Sequence, residues 1–149
     1  MNEPNATAAE AQSIADAAAA AMYAQDQASQ ALGMQVLEVR PGYARLSMTV
    51  RTDMTNGHQS CHGGMIFALA DSAFAFACNS YNAVTVAASA MIEFLLPARL
   101  GDVLTAIAIE RTRSRRSGIY DIEVCNQDGN RVAMFRGRSH EVGGSVTGH

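Results

Sequence analysis

The segment from Met65 to Asn79 constrains this chain more than any other. Met65, Ile66, Phe67, Leu69, Phe74, Phe76 and Cys78 leave it almost no polar face. A helix with that pattern is buried on most sides, so the remainder of the protein must wrap around it. The flanking sequence has the period to do so. Val36, Leu37 and Val39 lead in extended form to Arg40, Pro41-Gly42 supplies a turn, and Tyr43, Leu46, Met48 and Val50 continue as the second arm of a hairpin. Residues 51–63 lack periodicity and read as a loop that ends in Gly63 and Gly64. After the helix come four extended runs: Val84 to Leu96, Val103 to Arg111, Ile119 to Cys125, and Arg131 to Val142. Two strands, a buried helix and four strands predict the α+β class, with one antiparallel sheet around one long central helix.

Residues 6–32 are alanine-rich and helix-prone. Thr7 and Glu10 match a capping box, and Gly33 stops the segment. Ile14, Met22 and Leu32 are its only large aliphatic residues, so this extra N-terminal helix is expected to pack shallowly. The expected organisation is a helical extension over 1–32, a sheet-and-helix domain over 33–143, and a flexible tail over 144–149.

A chain of 149 residues that is 48% hydrophobic and 17% charged suits one domain and not a disordered one. A net charge of −3 points to neither nucleic acid nor an anionic membrane. No apolar run is long enough to span a bilayer, and no signal peptide is read at the N-terminus. Cys61, Cys78 and Cys125 show no pairing rhythm, which suits reduced thiols and a cytoplasmic location. All eleven basic residues are arginine. Genome composition would account for that, yet arginine is also the better planar clamp for phosphate.

Asp71 stands in the middle of the most apolar helix. A buried carboxylate needs a partner or a raised pKa. It is either a residue at the helix flank that reaches water or a backbone group, or a carboxylate held at a cleft for chemistry. Gly63 and Gly64 open the helix, where amides lack internal partners and face the positive end of the dipole. This end is either a plain loop-to-helix turn or a donor site for a developing oxyanion. At about 1.5 Å rise per residue, Gly63 and Asp71 lie about 12 Å apart along one helix, too far to flank a single carbonyl carbon. If both act on one carbonyl, two helices must meet antiparallel across a twofold axis, and the protein must be a dimer.

Other chemistries fare worse. His58, Cys61 and His62 cluster in a loop without a further ligand at suitable spacing, so no metal site is expected. No Gly-x-Ser-x-Gly elbow, phosphate loop or dinucleotide fingerprint occurs. The run from Arg111 to Gly118 is either a solvated arginine-rich turn or a clamp for coenzyme A phosphates, with Arg113, Arg115, Arg116 and Gly118 as the contacts.

The stretch from Asn56 to Ser80, with His62-Gly63-Gly64, Leu69-Ala70-Asp71 and Ala77-Cys78-Asn79-Ser80, closely resembles the PaaI family of hotdog-fold acyl-CoA thioesterases, which act in phenylacetic acid degradation. The likeness continues through Ala87 to Pro97, Gly118 to Val124 and Phe135 to His140, and covers most of the chain after about Met22. The resemblance implies a hotdog fold, homodimers whose sheets join, and the pairing of dimers into homotetramers; the spacing of Gly63 and Asp71 adds that the active sites of the homodimer are shared. It implies hydrolysis of phenylacetyl-CoA or its ring-hydroxylated forms without a cofactor, coenzyme A being part of the substrate. The family's catalytic acid falls on Asp71, its oxyanion glycine on Gly63, its loop asparagine on Asn56 and its supporting histidine on His62. Phe67, Phe74, Tyr81 and Met91 are candidates for an aromatic pocket. Two alternatives remain on sequence alone: a hotdog acyl-thioester dehydratase, which wants a histidine beside a carboxylate, and a non-catalytic acyl-CoA binding protein.

Overall fold

The computed structural model describes residues 7–148. Helix α1 spans Ala8–Gln25 and begins as expected: the Thr7 hydroxyl accepts from the Glu10 amide at 3.1 Å, and the Glu10 carboxylate accepts from the Thr7 amide at 3.3 Å. It does not run on to residue 32. The Asp26 carboxylate accepts from the Ser29 amide at 3.0 Å and so caps a second short helix, α2, Gln27–Ala31. A side chain that bonds its own backbone competes with helix continuation, which is why a uniform alanine-rich stretch breaks there. The packing of α1 is shallow. Its buried residues are Ala15 and Ala18, Ile14 stays exposed, and Gln12 ties it to the Val39 carbonyl at 2.7 Å.

Strands β1 (Gln35–Arg40) and β2 (Tyr43–Thr49) form the hairpin, with Gly42 taking the left-handed conformation (φ +71°) that the tight turn requires. A single 3-10 turn at Thr52–Met54 interrupts the following loop. Helix α3, Gly63–Cys78, is about 24 Å long. Strands β3 (Ala83–Phe94), β4 (Val103–Ser114), β5 (Ser117–Cys125) and β6 (Arg131–Ser145) complete one six-stranded antiparallel sheet in the order β1-β2-β4-β5-β6-β3.

The sheet curls around α3 because one face of its central strands is apolar and partly small. Ala44, Leu46 and Met48 of β2, Leu104, Ala106 and Ala108 of β4, and Tyr120, Ile122 and Val124 of β5 are all buried. Alanines pair across strands at Ala44–Ala108, which lets the helix approach closely. Register shifts at Val36/Glu38, Ala87/Ser89 and Glu110/Thr112 bend the strands. On β6, Gly137 makes room for Phe74 of α3: a Cβ there would fall 2.8 Å from its ring. This is the hotdog arrangement, a long helix inside a curved antiparallel sheet.

Among the described residues, nothing pairs with the outer edge of β3, although β3 is twelve residues long and exposes Val86, Met91 and Phe94. The C-terminus departs from the expected flexible tail beginning at residue 144. Gly144 and Ser145 belong to β6, and Asn82 then holds Thr147 through two hydrogen bonds of 3.0 and 3.1 Å. Glycine-rich sequence reads as a tail, whereas here the long β3 gives those residues a strand to pair with.

Candidate active site

Asp71 lies on the third turn of α3, half-buried, at the floor of a cavity of about 550 Å³. Phe74 and Cys78 of α3, Val84 and Val86 of β3, and Met22 of α1 surround it. Among the described residues, none donates a hydrogen bond to its carboxylate. Burial pushes its pKa above the usual carboxylate range, and the nearby negative charge of Asp26 pushes the same way. The Cys78 thiol in the same cavity is buried and pushed up to about 12, chiefly by desolvation, so at neutral pH it is a protonated, inert thiol.

Gly63 is the first residue of α3. His62 precedes it as N-cap, with Nδ1 accepting from the Gly64 amide at 3.1 Å and its carbonyl accepting from Met65 at 2.9 Å. Among the described residues, the Gly63 amide has no acceptor. It therefore remains a free donor at the positive end of a sixteen-residue helix. It faces a different cavity from Asp71, about 340 Å³, bounded by Ile66, Phe94 and Pro97. Within one chain the carboxylate and the free amide thus open into separate spaces, as the helix rise requires.

Asn56 sits exposed on the loop before α3 and lines neither cavity. Its side-chain oxygen accepts from the amides of His58 at 2.9 Å and Ser60 at 3.3 Å, so it shapes the loop that leads into Gly63. Of the aromatic candidates, only Phe74 borders the Asp71 cavity. Phe67 packs edge-on against Phe135 with centroids 5.2 Å apart, the Tyr81 hydroxyl donates to Glu110, and Met91 is 61% exposed. Met22, Gln25 and Asp26 of the N-terminal extension also line this cavity. Sequence reasoning missed them; the one local signal was Asp26 three residues before Ser29, a capping spacing inside an otherwise uniform helix.

The arginine cluster divides. Arg111 pairs with Asp121 at 3.0 Å. Arg113 pairs with Glu110 at 3.3 Å and stacks on the Tyr81 ring at 3.4 Å. Arg115 and Arg116 form the tip of the β4–β5 hairpin, Arg115 with φ +58°, and among the described residues neither has an ion pair. Gly118, named with the arginines as a contact for coenzyme A, does not lie on the surface. It is buried in β5, where a Cβ would meet Tyr120 at 2.9 Å, the Ser139 hydroxyl at 3.0 Å and the Thr112 carbonyl at 3.2 Å. Its small size serves packing. Gly118→Ala is expected to overpack the strand and cost about 1–3 kcal/mol of stability, seen as a lowered Tm. A lowered substrate affinity at unchanged Tm would return Gly118 to the ligand site.

Among the described residues, no three His, Cys, Asp or Glu side chains gather as metal ligands would. No described helix is long and apolar enough to cross a membrane.

Comparison with known proteins places this geometry. Residues 58–133, just over half of the chain, match the thioesterase superfamily. The acyl-coenzyme A thioesterase PaaI of Escherichia coli strain K12 is 50% identical over 128 residues, which are 86% of this chain and 91% of that protein. The solved structure of E. coli PaaI, from the phenylacetic acid degradation operon, superposes with a TM-score of 0.89, at 48% identity, over 90% of this chain and 97% of that one. A point mutant of the phenylacetic acid degradation protein PaaI from Thermus thermophilus superposes with a TM-score of 0.76, at 38% identity, over 78% of this chain and 100% of that one. With its central helix, its curved sheet and its matched sequence all in agreement, the chain belongs to the thioesterase superfamily, on the PaaI branch of hotdog-fold enzymes.

Proposed function

We propose that this protein hydrolyses acyl-CoA thioesters, with phenylacetyl-CoA or its ring-hydroxylated forms as substrate, to the free acid and coenzyme A. The observation that carries this reading is Asp71: a carboxylate without a hydrogen-bond donor among the described residues, lining a cavity of about 550 Å³, on the apolar helix of a chain half identical to an acyl-CoA thioesterase. Asp71 either takes a proton from the water that attacks the thioester carbon, or attacks that carbon itself to give a mixed anhydride that water then hydrolyses to the free acid. The developing oxyanion takes its hydrogen bond from the Gly63 amide, and the carbon–sulfur bond then breaks to release the coenzyme A thiol. Asn56 and His62 shape the loop and the helix start that aim that amide.

Because one chain holds Asp71 and Gly63 apart, the complete site needs two chains. The unpaired edge of β3 supports a homodimer in which two sheets join, since a long exposed edge with apolar side chains otherwise invites uncontrolled pairing. Pairing of such dimers into a homotetramer follows the family pattern. The three free cysteines, two of them buried, support a reducing, cytoplasmic setting.

Within the cluster from Arg111 to Gly118, Arg115 and Arg116 are the arginines left to meet the coenzyme A phosphates. Their joint replacement by glutamine is expected to raise KM more than it lowers kcat, with a wild-type KM that itself rises with salt. An unchanged KM across a salt series would leave this tip a solvated turn.

The deciding experiment is turnover of a thioester panel, including 3-hydroxyacyl thioesters, with detection of free thiol and of products. Thiol release from phenylacetyl-CoA supports hydrolysis. Water loss without thiol release would indicate a dehydratase, and tight binding without turnover a binding protein.

A further inference from the structure

We propose that the end of α1, at its joint with α2, is the specificity wall of the acyl cavity, and that Met22 sets how large an acyl group the protein accepts. This inference rests on the thioesterase reading above.

Four parts of the fold bound the cavity that holds Asp71, the smallest being the end of β6 at Ser145 with the following Val146. Helix α3 supplies its floor, β3 one side, and the last turn of α1 the facing side. The floor and the β3 side are held by packing and by strand pairing. Phe74 is 1% exposed, its ring lies against Gly137 and sits 5.5 Å from Tyr120, and β3 is held in register with β6 along nearly its whole length. The α1 side differs. Its residues are Ala21, Met22, Gln25 and Asp26, and Met22 is the one long apolar side chain among them. Methionine has three rotatable bonds and fills irregular space without strain. Its length therefore determines how much of the cavity is left for a ligand.

This wall is also built to stay at a fixed height above Asp71. The Tyr23 hydroxyl, next to Met22, donates to the Met34 carbonyl at 2.8 Å, and the Tyr23 ring lies 6.5 Å from that of Phe76 on α3. Asp26 ends α1 and binds the Ser29 hydroxyl at 2.6 Å. That hydroxyl, on a residue 1% exposed, meets the hydroxyl of Ser72 at 2.9 Å. Ser72 is the neighbour of Asp71 in sequence, so the chain of bonds ties the wall directly to the helix turn that carries the carboxylate. A shallowly packed alanine helix would otherwise be a poor boundary for a binding site, and these ties supply what its own packing does not.

The test compares phenylacetyl-CoA with the bulkier 2-naphthylacetyl-CoA. Met22→Ala shortens the wall and is expected to shift the kcat/KM ratio toward the naphthyl substrate by about tenfold or more. Met22→Phe fills the space and should shift the ratio the other way. Ile14→Ala removes an exposed side chain of the same helix that does not line the cavity, and should leave the ratio unchanged. If Met22→Ala destabilises the helix, Met22→Phe decides. A wild-type ratio in a folded Met22 variant, or an equal shift in Ile14→Ala, overturns the inference while leaving the thioesterase reading intact. If the wild-type protein hydrolyses no acyl-CoA, the thioesterase reading fails and this inference fails with it.

Discussion

Asp71→Asn is expected to lower turnover by about a hundred- to ten-thousandfold while the protein remains folded and becomes no less stable at neutral pH. The two halves of this result come from the same fact. Asp71 sits in an apolar cavity without a donor among the described residues, and burial, followed by the charge of Asp26, raises its pKa. A group whose folded pKa is raised holds its proton more tightly in the folded state than in the unfolded chain. The stability it contributes is full below the unfolded value, about 3.9 for aspartate, and is lost as pH rises through the higher folded value. At neutral pH the ionised carboxylate therefore works against folding, and a neutral amide of the same shape removes that penalty. Activity has the opposite pH dependence, because the chemistry uses the ionised form: it should fall as pH drops through a value above the ordinary carboxylate range. Asp26→Asn removes the smaller of the two causes and should move that acid limb modestly downward. Thermal melts and thioester turnover across a pH series check each part. Near-normal turnover in a folded Asp71→Asn protein would remove Asp71 from the mechanism.

Mixing two inactive proteins should restore activity if the site is shared. One carries Asp71→Asn, the other a bulky residue at Gly63. Gly63 is a suitable position for such a change: its φ is not positive, and the nearest atoms a Cβ there would meet belong to the ring of Phe94, which is 54% exposed and able to move. Across a twofold interface every heterodimer holds one site with both defects and one with neither. With random exchange about half of all dimers are mixed and each has one good site, so recovery approaches about a quarter of wild-type activity. Failure to recover after subunit exchange has been verified by mass or light scattering would mean that each chain completes its own site. The Gly63 amide and the Asp71 carboxylate, each without a hydrogen-bond partner among the described residues and held in separate cavities of one chain, are the reason to expect recovery.

Much of this architecture is legible in the residue pattern. An apolar stretch without a polar face must be a buried helix, and alternation along β4, with Leu104, Ala106 and Ala108 inward, must be a strand against it. Pro41-Gly42 marks the hairpin, Thr7 and Glu10 mark the start of α1, and the spacing of Gly63 and Asp71 already separates them by two turns. These are local properties: periodicity and capping depend on residues a few positions apart, and the chain carries them openly.

What tertiary structure alone decided are the meetings between distant residues. The turn between α3 and β3 brings Tyr81, thirty-two positions away, against Arg113, which also pairs with its strand neighbour Glu110, while Arg115 and Arg116 are left at the hairpin tip. Packing of β4, β5 and β6 makes Gly118, the last residue of the arginine cluster, a buried position with no room for a side chain. The alanine-rich extension looked uniform, yet its break at Asp26 and its tie from Ser29 to Ser72, forty-three positions along the chain, bring Met22 over the cavity of Asp71. Such contacts follow from how curved layers close on one another, and a one-dimensional pattern of apolar and polar residues specifies which face turns inward but not which side chain it will find there.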